Sequence, residues 1–525
     1  MKNKYYKSIA TLMLGGSLMI GATTGCTDSF EDFNTDPKAP TPEQMEGDLA
    51  ATVTLISNMI PALALGQEND FQMIDQMIGC EYGAMTAAKN QWGSDAYYAT
   101  YNPPVGWTGN MFDTTMPKIY TPFFMIRNLA AGKEGVQGLT YHWANLLRIF
   151  GSLRVSDCYG PIPFSKIGSG NDFAVAYDDM PTLYNAMFEQ LDLAIAGIKE
   201  SVDNPEAKFL FGDFDYIYQG DLHKWLKLAN TLKLRMALRL VNVEPALAKQ
   251  KAEEAVSDPG GLIETPADAA WSSFIPGGNA LNKTNIIWGE GRVSANITSY
   301  MNGYNDPRLS VYAQTAKNGA YVGMRNGVFH FNNDDVPNYS APMVDPQSKL
   351  LSISASESWF ARAEGALRGW TMGGTAKELY ETGITTSMKE RGVSVNDYLE
   401  STATPADHVD FNHIYDIEAV SDICPKFDES ADFETNLERI IVQKWLGNYP
   451  NGWETWTDFR RTGYPKFFPV VNNYSTDGVT SERGMRRLPF PQSEFNTNEA
   501  NVKAAQAMLG GPDNSATDLW WAKKF

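Results

Sequence analysis

Residues 356–390 read SESWFARAEGALRGWTMGGTAKELYETGITTSMKE, and this stretch decides the fold class. Apolar residues recur in it at helical spacing on both sides of the turn at 372–374. We therefore predict one helix over 356–370 and a second over 375–390. A connection this short makes the two helices antiparallel neighbours. The pair has about the 34-residue length of a tetratricopeptide unit, although no strict internal repeat is visible along the chain.

The same helical spacing extends outward in both directions. Further amphipathic helices are predicted over 41–60, 139–156, 181–199, 221–241 and 434–447. The first of them has a clear start, because Thr41 can cap it and Pro42 suits the first helical position. The chain is therefore predicted to be mostly α-helical, with helix pairs of tetratricopeptide type.

Long irregular stretches separate these helices. Gly, Asn, Asp, Pro and aromatic residues are frequent in 89–122, 157–180, 258–350 and 448–500. Loops of this length are uncommon in compact domains unless they carry function. We predict one domain over 41–525, in which a helical scaffold, mainly 41–241 and 355–447, supports a large loop-rich face. The principal loop-rich regions are 89–122 and 258–350.

The first loop-rich region is unusually aromatic, since residues 90–107 read NQWGSDAYYATYNPPVGW. Flat aromatic faces stack on the C–H faces of sugar rings, while Asn and Asp side chains form hydrogen bonds with sugar hydroxyl groups. We predict that Trp92, Tyr98, Tyr101 and Trp107 contact an uncharged ligand of this kind. The alternative is that these rings only pack the loop onto the helices.

A second aromatic region lies within 258–350. It runs from Trp271 through Trp288 to Tyr300 and Tyr304, again among Gly and Asn residues. Trp288 is the candidate ligand contact from this region, with packing as the same alternative.

The composition and net charge limit which partners and which kinds of site can be expected. The chain has 525 residues, and 43 Lys and Arg against 62 Asp and Glu give a net charge of -19. A surface this acidic repels nucleic acid, which is therefore not expected as a partner. Cys80, Cys158 and Cys424 are far apart and form no CxxC motif, so they predict neither a disulfide framework nor a zinc site. No cofactor and no metal site are expected.

Familiar catalytic signatures are missing from the sequence. It contains no HExxH, GxSxG or P-loop motif. Asp213 and Asp215 would suit a glycosidase only at a carboxyl separation of roughly 5 to 9 Å, which sequence does not give. Among 62 acidic residues a chance pair is the default. We therefore predict that the protein is not an enzyme, with a surface glycosidase as the alternative from another class.

The N-terminus has the pattern of a bacterial lipoprotein signal peptide over residues 1–25. Lysines precede the apolar stretch Ile9–Ile20, which is too short to span a bilayer core of about 30 Å. Small residues then lead to Cys26, the predicted lipid attachment, although the usual Leu three residues earlier is Thr23 here. The alternative is an ordinary secretory signal with Cys26 as a free thiol. Residues 26–40 are predicted to be an acidic, flexible tether.

Seven short motifs occur in a fixed order along the chain. They are FNTDP at 33–37, SDCYGPIPF at 156–164, NDPRL at 305–309, ARAEGALRGW at 361–370, ERIIVQKW at 438–445, RRTGYP at 460–465 and RRLPFP at 486–491. This ordered set resembles the SusD/RagB-like outer-membrane nutrient-binding lipoproteins. The resemblance covers essentially the whole chain after the signal peptide.

The resemblance implies a mostly helical, SusD-like fold whose loop-rich face binds the ligand. It implies a cell-surface protein that is anchored in the outer membrane through lipid on Cys26 and faces the exterior. It also implies a SusC-like TonB-dependent transporter as partner, to which captured oligosaccharides are delivered. A peptide-binding, RagB-like importer subunit is the alternative within the family. The arginine pairs at 460–461 and 486–487 are interpreted as structural, because buried guanidinium groups that fork onto carboxylates or carbonyls need no ligand.

Overall fold

The computed structural model describes residues 49–90, 97–168, 174–328 and 332–523. The predicted signal peptide over 1–25, the lipid-bearing Cys26 and the tether over 26–40 lie outside the described residues. The chain divides into two units, residues 1–51 and residues 52–525. Apart from the start of the first helix, every element described below belongs to the second unit.

Helices dominate the described residues. In chain order they are α1 (Leu49–Met59), α2 (Glu68–Asp70) continued by a π-helix (Phe71–Cys80), α3 (Asn110–Ala130), α4 (Gly135–Tyr159), α5 (Met180–Ser201), α6 (Pro205–Phe211), α7 (Leu222–Arg239) and α8 (Pro245–Ser257). They continue as α9 (Ala280–Asn282) followed by a π-helix (Lys283–Ile287), α10 (Ala295–Gly303), α11 (Leu309–Tyr312), α12 (Glu357–Leu367), α13 (Ala376–Glu390), α14 (Phe433–Gly447), α15 (Gly452–Thr462), α16 (Gln492–Thr497) and α17 (Glu499–Gln506). The predicted mostly α class is confirmed.

The long helices pack as neighbouring hairpins. The pairs α3–α4, α7–α8 and α12–α13 are hairpins; α5 packs on α4 and α7, and α12 packs on α7 and α14. A capping box formed by Thr375 and Glu378 starts α13. Gly383 of α13 lies against the ring of Phe360 in α12, and a Cβ there would be 2.7 Å from that ring. The predicted hairpin of tetratricopeptide type is therefore confirmed, and a glycine permits its close packing.

Three predicted loop-rich stretches contain helices instead, and one of these helices is α10 within 258–350. The loop-rich region predicted over 89–122 is wrong in its second half, because α3 begins at Asn110. Pro117 and Pro122 disfavour a helix interior locally, since proline lacks the backbone N–H. The helix forms nevertheless because its buried face packs along α4. The irregular stretch predicted over 448–500 likewise contains α15.

Within the residues that the structure describes, four short strands form two ribbons. Strand β1 (Thr86–Ala88) pairs antiparallel with β3 (Gly291–Val293), and β2 (Ala270–Ser272) pairs antiparallel with β4 (Leu350–Ile353). Each ribbon joins segments that are far apart in the sequence. The β1–β3 ribbon in particular connects the start of the first loop-rich region with the second.

A buried ion network lies where α7, α12, α14 and α15 meet. Glu454 accepts hydrogen bonds from Arg239 at 2.5 and 2.8 Å and from Lys444 at 2.8 Å. Burial opposes ionisation of Glu454, but these two cations hold the pKa of its carboxyl well below the usual range. The Arg461 guanidinium forks onto both carboxylate oxygens of Glu364 at 2.6 and 2.7 Å. Asp458, which pairs with both Lys444 and Arg461, connects these two groups, so the buried charges link all four helices.

The arginine pairs at 460–461 and 486–487 are structural, as predicted. All four side chains are at most 1% exposed. Arg460 donates to the carbonyl oxygen of Asp157 at 2.6 Å, and Arg487 forks onto the carbonyl oxygen of Tyr159, the last residue of α4, at 3.0 and 3.2 Å. These contacts occupy the guanidinium groups within the fold, so this prediction is confirmed.

The first π-helix packs closely against the start of α15, and glycine makes this close contact possible. A Cβ on Gly452 would collide with the Gly79 carbonyl oxygen and lie 2.8 Å from the Cα of Cys80. Because both neighbours are backbone atoms, they cannot rotate away. We expect Gly452→Ala to lower the free energy of unfolding by about 2 kcal/mol, as overpacking does, and chemical denaturation measures this change. Gly510→Ala is the control, since a Cβ there meets nothing within 4 Å. Equal stability of the two variants would contradict the close crossing.

Candidate functional site

The β1–β3 ribbon brings the two aromatic regions of the sequence to one place. Ala88 is opposite Gly291, and the backbone N–H of Lys89 donates to the Glu290 carbonyl at 2.8 Å. The chain that leaves β1 and the chain that enters β3 therefore run side by side. The Tyr97 hydroxyl donates to the Ala88 carbonyl at 2.5 Å, so the loop that leaves β1 also returns to it.

Ile287 and Trp288 are exposed at this end of the ribbon. The backbone N–H of Trp288 donates to the Lys283 carbonyl at 2.8 Å, which closes the second π-helix just before β3. The exposed fractions are 63% for Ile287 and 36% for Trp288. Two adjacent large apolar side chains with this exposure indicate a contact surface rather than core packing.

Polar side chains from four segments meet at the same end. Lys89 Nζ donates to Oδ1 of Asn90 at 2.7 Å and to Oδ1 of Asn333 at 3.0 Å. Gln72 Nε2 donates to both carboxylate oxygens of Glu290 at 2.7 Å. Amide, ammonium and carboxylate groups supply both donors and acceptors for the hydroxyl groups of a ligand. We call this surface the ribbon edge; it comprises Lys89, Asn90, Ile287, Trp288 and Asn333, together with the buried Glu290, whose carboxylate already accepts from Gln72.

A buried polar network fixes the ribbon beneath this surface. Gln76 Nε2 donates to Thr86 Oγ1 at 3.0 Å, and Asn285 Nδ2 donates to Gln76 Oε1 at 2.8 Å. Strand β1 and the second π-helix, which precedes β3, are thereby tied to the first π-helix. A Cβ on Gly291 would collide with Oδ1 of Asn285, so this arrangement requires glycine in β3.

Glu81 anchors the end of β1 from below. Its carboxylate accepts hydrogen bonds from the backbone N–H of Ala88 and from Asn326 Nδ2, each at 2.8 Å. Burial raises the pKa of Glu81 to about 7, and the two hydrogen bonds oppose that rise. The strand end next to Lys89 is therefore held by a carboxyl group whose charge changes near neutral pH.

The five predicted contact residues fall in different environments. Trp92 lies outside the described residues, within 91–96. Tyr98 is 1% exposed and packs in the core beneath its loop. Tyr101, in the left-handed conformation with φ 59°, and Trp107 are half-buried. Trp288 is exposed at the ribbon edge.

Tyr101 lies between two cavities. The larger has a volume of about 360 Å³, and its aromatic lining comprises Tyr82, Tyr101, Trp456, Phe459, Phe467 and Phe468. The smaller has a volume of about 250 Å³, and Tyr101 lines it together with Val105 and Phe490. Trp288 is not among the described residues that line either cavity. The structure therefore places Tyr101 and Trp288 at separate sites.

Only one aromatic residue named in the second region is exposed. Trp271 is half-buried, and its indole N–H donates to Glu390 at 2.9 Å. Tyr300 and Tyr304 are buried on α10. Trp288 differs from them because it follows the π-helix and precedes the ribbon. Sequence reasoning missed the polar half of the ribbon edge, since strands of three residues carry too little pattern to predict which loops they join.

The buried member of the acidic pair in the first half of the chain has a structural role. Asp215 is buried, and its carboxylate accepts hydrogen bonds from the backbone N–H groups of Tyr218 and Gly220 and from Trp225 Nε1. Asp213 is exposed beside it. Asp215 therefore organises a turn, and the pair gives no support to the glycosidase alternative.

Two further findings concern the part of the chain that the structure describes. None of its helices is both long and apolar enough to cross a membrane. Its His, Cys, Asp and Glu side chains form no group of three or more that could hold a metal ion.

Comparisons with known proteins agree on one relationship. Residues 32–522 match the family model described as Susd and RagB outer membrane lipoprotein. A chitin-binding SusD homolog from Flavobacterium johnsoniae is 35% identical, with a TM-score of 0.85 over 90% of this chain and 99% of that one. A SusD-like protein from Bacteroides thetaiotaomicron is 38% identical, with a TM-score of 0.84 over 90% and 99% of the two chains. A SusD homolog from Bacteroides ovatus is 34% identical, with a TM-score of 0.84 over 91% and 100%. None of the curated proteins matches the chain.

Proposed function

Because the chain belongs to the SusD-like family of outer-membrane lipoproteins, we propose that it captures oligosaccharides at the cell surface and delivers them to a SusC-like TonB-dependent transporter. SusD-like proteins are binding proteins rather than enzymes. Lipid on Cys26 attaches the protein to the outer membrane, with the loop-rich face toward the exterior. The observation that best supports an oligosaccharide ligand is the exposed Trp288 at an edge lined with amide and charged groups.

The chemistry of the ribbon edge favours a sugar. Trp288 and Ile287 offer an apolar surface for the C–H face of a sugar ring. Asn90, Asn333 and Lys89 offer amide and ammonium groups at the same edge, within hydrogen-bonding reach of one another. A few placed polar groups around an apolar platform are typical of ligand sites. The chitin-binding homolog supports the same ligand class at 35% identity.

Three other aromatic residues are proposed as additional contacts. Trp92 follows Asn90 by two residues in the sequence, and it is proposed on that sequence position alone. Tyr101 and Trp107 would contact a longer oligosaccharide that extends along the loop. Tyr98 is left out of the proposed site, because its buried ring supports the loop from within.

We expect Trp288→Ala to weaken oligosaccharide binding about tenfold or more, because the ring platform is lost while the polar groups remain. A glycan array with the full chain identifies the ligand, and isothermal titration then gives the affinity. Phe433→Ala is the matched control, since this ring on α14 is 38% exposed. Its glycan affinity should equal that of the wild type. Unchanged affinity in the Trp288 variant would place the site elsewhere.

A peptide panel run beside the glycan array tests the alternative within the family. Tight peptide binding with an empty glycan array would favour the RagB-like reading. The transporter partner is tested by affinity purification of the full chain from solubilised outer membranes, followed by mass spectrometry. We expect a TonB-dependent transporter to co-purify, and its absence would count against delivery.

A further inference from the structure

The larger of the two cavities next to Tyr101 has room for a small organic molecule. Its volume is about 360 Å³, within the range of about 300–1,000 Å³ that is usual for ligand pockets. Lys466 and Glu482 line it and are exposed, so the cavity is open to solvent. No ribbon-edge residue is among the described residues that line it.

Three half-buried aromatic rings form part of its wall. They belong to Tyr101, Phe459 and Phe467. The centroids of the two phenylalanine rings are 5.2 Å apart. A Cβ on Gly484 would lie 3.4 Å from Cε1 of Phe459 and 3.5 Å from the Tyr101 hydroxyl oxygen, so these rings are neighbours in one wall of the cavity. Aromatic faces carry partial negative charge and attract cations within about 6 Å.

Two other rings of the cavity already stack on cations of the fold. The guanidinium carbon of Arg460 lies 3.6 Å from the ring centroid of Trp456, and that of Arg325 lies 5.2 Å from the ring centroid of Phe468. Both arginines are buried and belong to the core. No Lys or Arg side chain of the described residues stacks on the three half-buried rings, which are therefore left for a ligand.

The carboxylates of the cavity are not neutralised by cations. Glu482 lies at its exposed rim and forms no ion pair within the described residues. Glu81 lies beneath, and its carboxylate accepts hydrogen bonds from uncharged N–H groups only. Burial, and then the charges of Glu81 and Glu482, raise the pKa of Tyr101, which shows that both carboxylates lie near this ring. The one lysine of the lining, Lys466, is offset by Glu438 at 2.9 Å. The cavity therefore carries excess negative charge.

The amide oxygens of the lining are already engaged. Asn296 Oδ1 accepts a hydrogen bond from the backbone N–H of Phe468 at 2.7 Å, and Asn326 Oδ1 accepts one from the Ser294 hydroxyl at 2.7 Å. A primary ammonium has three N–H donors that need acceptors. A quaternary ammonium has none, and its methyl groups suit aromatic faces. The lining therefore favours a methylated cation over a primary amine.

We propose that this cavity binds a small quaternary ammonium compound. The methylated ammonium group packs against the rings of Tyr101, Phe459 and Phe467, while Glu482 and Glu81 balance its charge. Binding here is independent of oligosaccharide capture at the ribbon edge.

The first test compares three small molecules of similar size by isothermal titration on the full chain. They are choline, its uncharged isostere 3,3-dimethyl-1-butanol, and ethanolamine, which carries a primary ammonium. The titrations are run at pH 8, because burial raises the pKa of Glu81 to about 7 and its carboxyl is ionised above that value. We expect choline to bind about tenfold or more tightly than either of the others. No binding of choline, equal binding of choline and its isostere, or tighter binding of ethanolamine would overturn the proposal.

The second test removes one ring and one charge separately. Phe459→Leu keeps an apolar side chain without the aromatic face and should weaken choline binding about fivefold. Glu482→Gln removes an exposed charge, which leaves the fold intact, and should weaken choline binding about threefold. Glu429→Gln is the matched control, since Glu429 is exposed and does not line the cavity. Both this control and Trp288→Ala should bind choline as the wild type does. Wild-type choline affinity in the Phe459 and Glu482 variants would refute the assignment.

Discussion

Glu454→Gln is expected to lower the free energy of unfolding by about 3–5 kcal/mol, because it leaves buried cations without their shared carboxylate. Arg239 and Lys444 both donate to Glu454, and all three side chains are buried. A domain is typically stable by only about 5–15 kcal/mol, so the loss is a large fraction of the total. Chemical denaturation at neutral pH measures this loss.

The stabilisation by Glu454 also depends on pH. Because the fold depresses the pKa of Glu454, its contribution to stability is present above the ordinary carboxyl range and is lost as the pH falls through the pKa of the folded state.

Glu499→Gln is the matched control for this prediction. Glu499 pairs with Lys503 on α17, and both side chains are exposed. Exposed pairs contribute about 0–1 kcal/mol, so this variant should unfold at nearly the wild-type denaturant concentration. A Glu454 variant as stable as the Glu499 variant would show that the buried network does not hold α7, α14 and α15 together.

His408 should make the protein acid-sensitive. Its imidazole is buried, and its Nε2 has no hydrogen-bond partner among the described residues. Burial, together with the nearby Arg325 guanidinium, lowers the pKa of His408 to about 4, although the Asp416 carboxylate opposes this shift. The unfolded chain therefore takes up this proton near pH 6.5, well before the folded chain does. Stability is retained above that value and falls as the pH drops, by about 3 kcal/mol between pH 7 and pH 4 from this group alone.

Comparing the wild type with His408→Gln isolates this contribution. Chemical denaturation at pH 7 and at pH 4 gives the loss of stability for each protein, and carboxyl groups common to both cancel in the difference. We expect the wild type to lose about 3 kcal/mol more than the variant. His413→Gln controls for the loss of an exposed imidazole. Equal losses in the wild type and in the His408 variant would mean that this imidazole is not held uncharged by the fold.

The helical scaffold could be predicted where local and tertiary signals agree. In α12 and α13 the apolar spacing and the short turn both indicate the hairpin that is observed. In α3 the local signals point the other way, because Pro117 and Pro122 oppose a helix that packing on α4 then stabilises. Packing of this kind depends on residues distant in sequence, so it has no local signature.

The candidate site was predictable only in part, for a related reason. Trp288 could be named because it is aromatic and lies in a polar loop. Tyr98 has the same sequence character and is buried, since burial depends on which elements cover the loop. Asn333 contacts Lys89 although the two residues are 244 positions apart in the sequence, so this contact has no local signature. The composition of the site was therefore predictable, but the three segments that build it were not.

The hydrogen bond from the Tyr97 hydroxyl to the Ala88 carbonyl makes the intervening loop an insertion point for protein engineering. The loop starts and ends at one fixed backbone position, and Glu81 holds that position from the scaffold side. Doubling the length of such a closed loop costs only about 0.6 kcal/mol of chain entropy. New recognition sequences could therefore be grafted between positions 89 and 96 while the helices remain as they are, which would turn the scaffold into a host for designed binding loops.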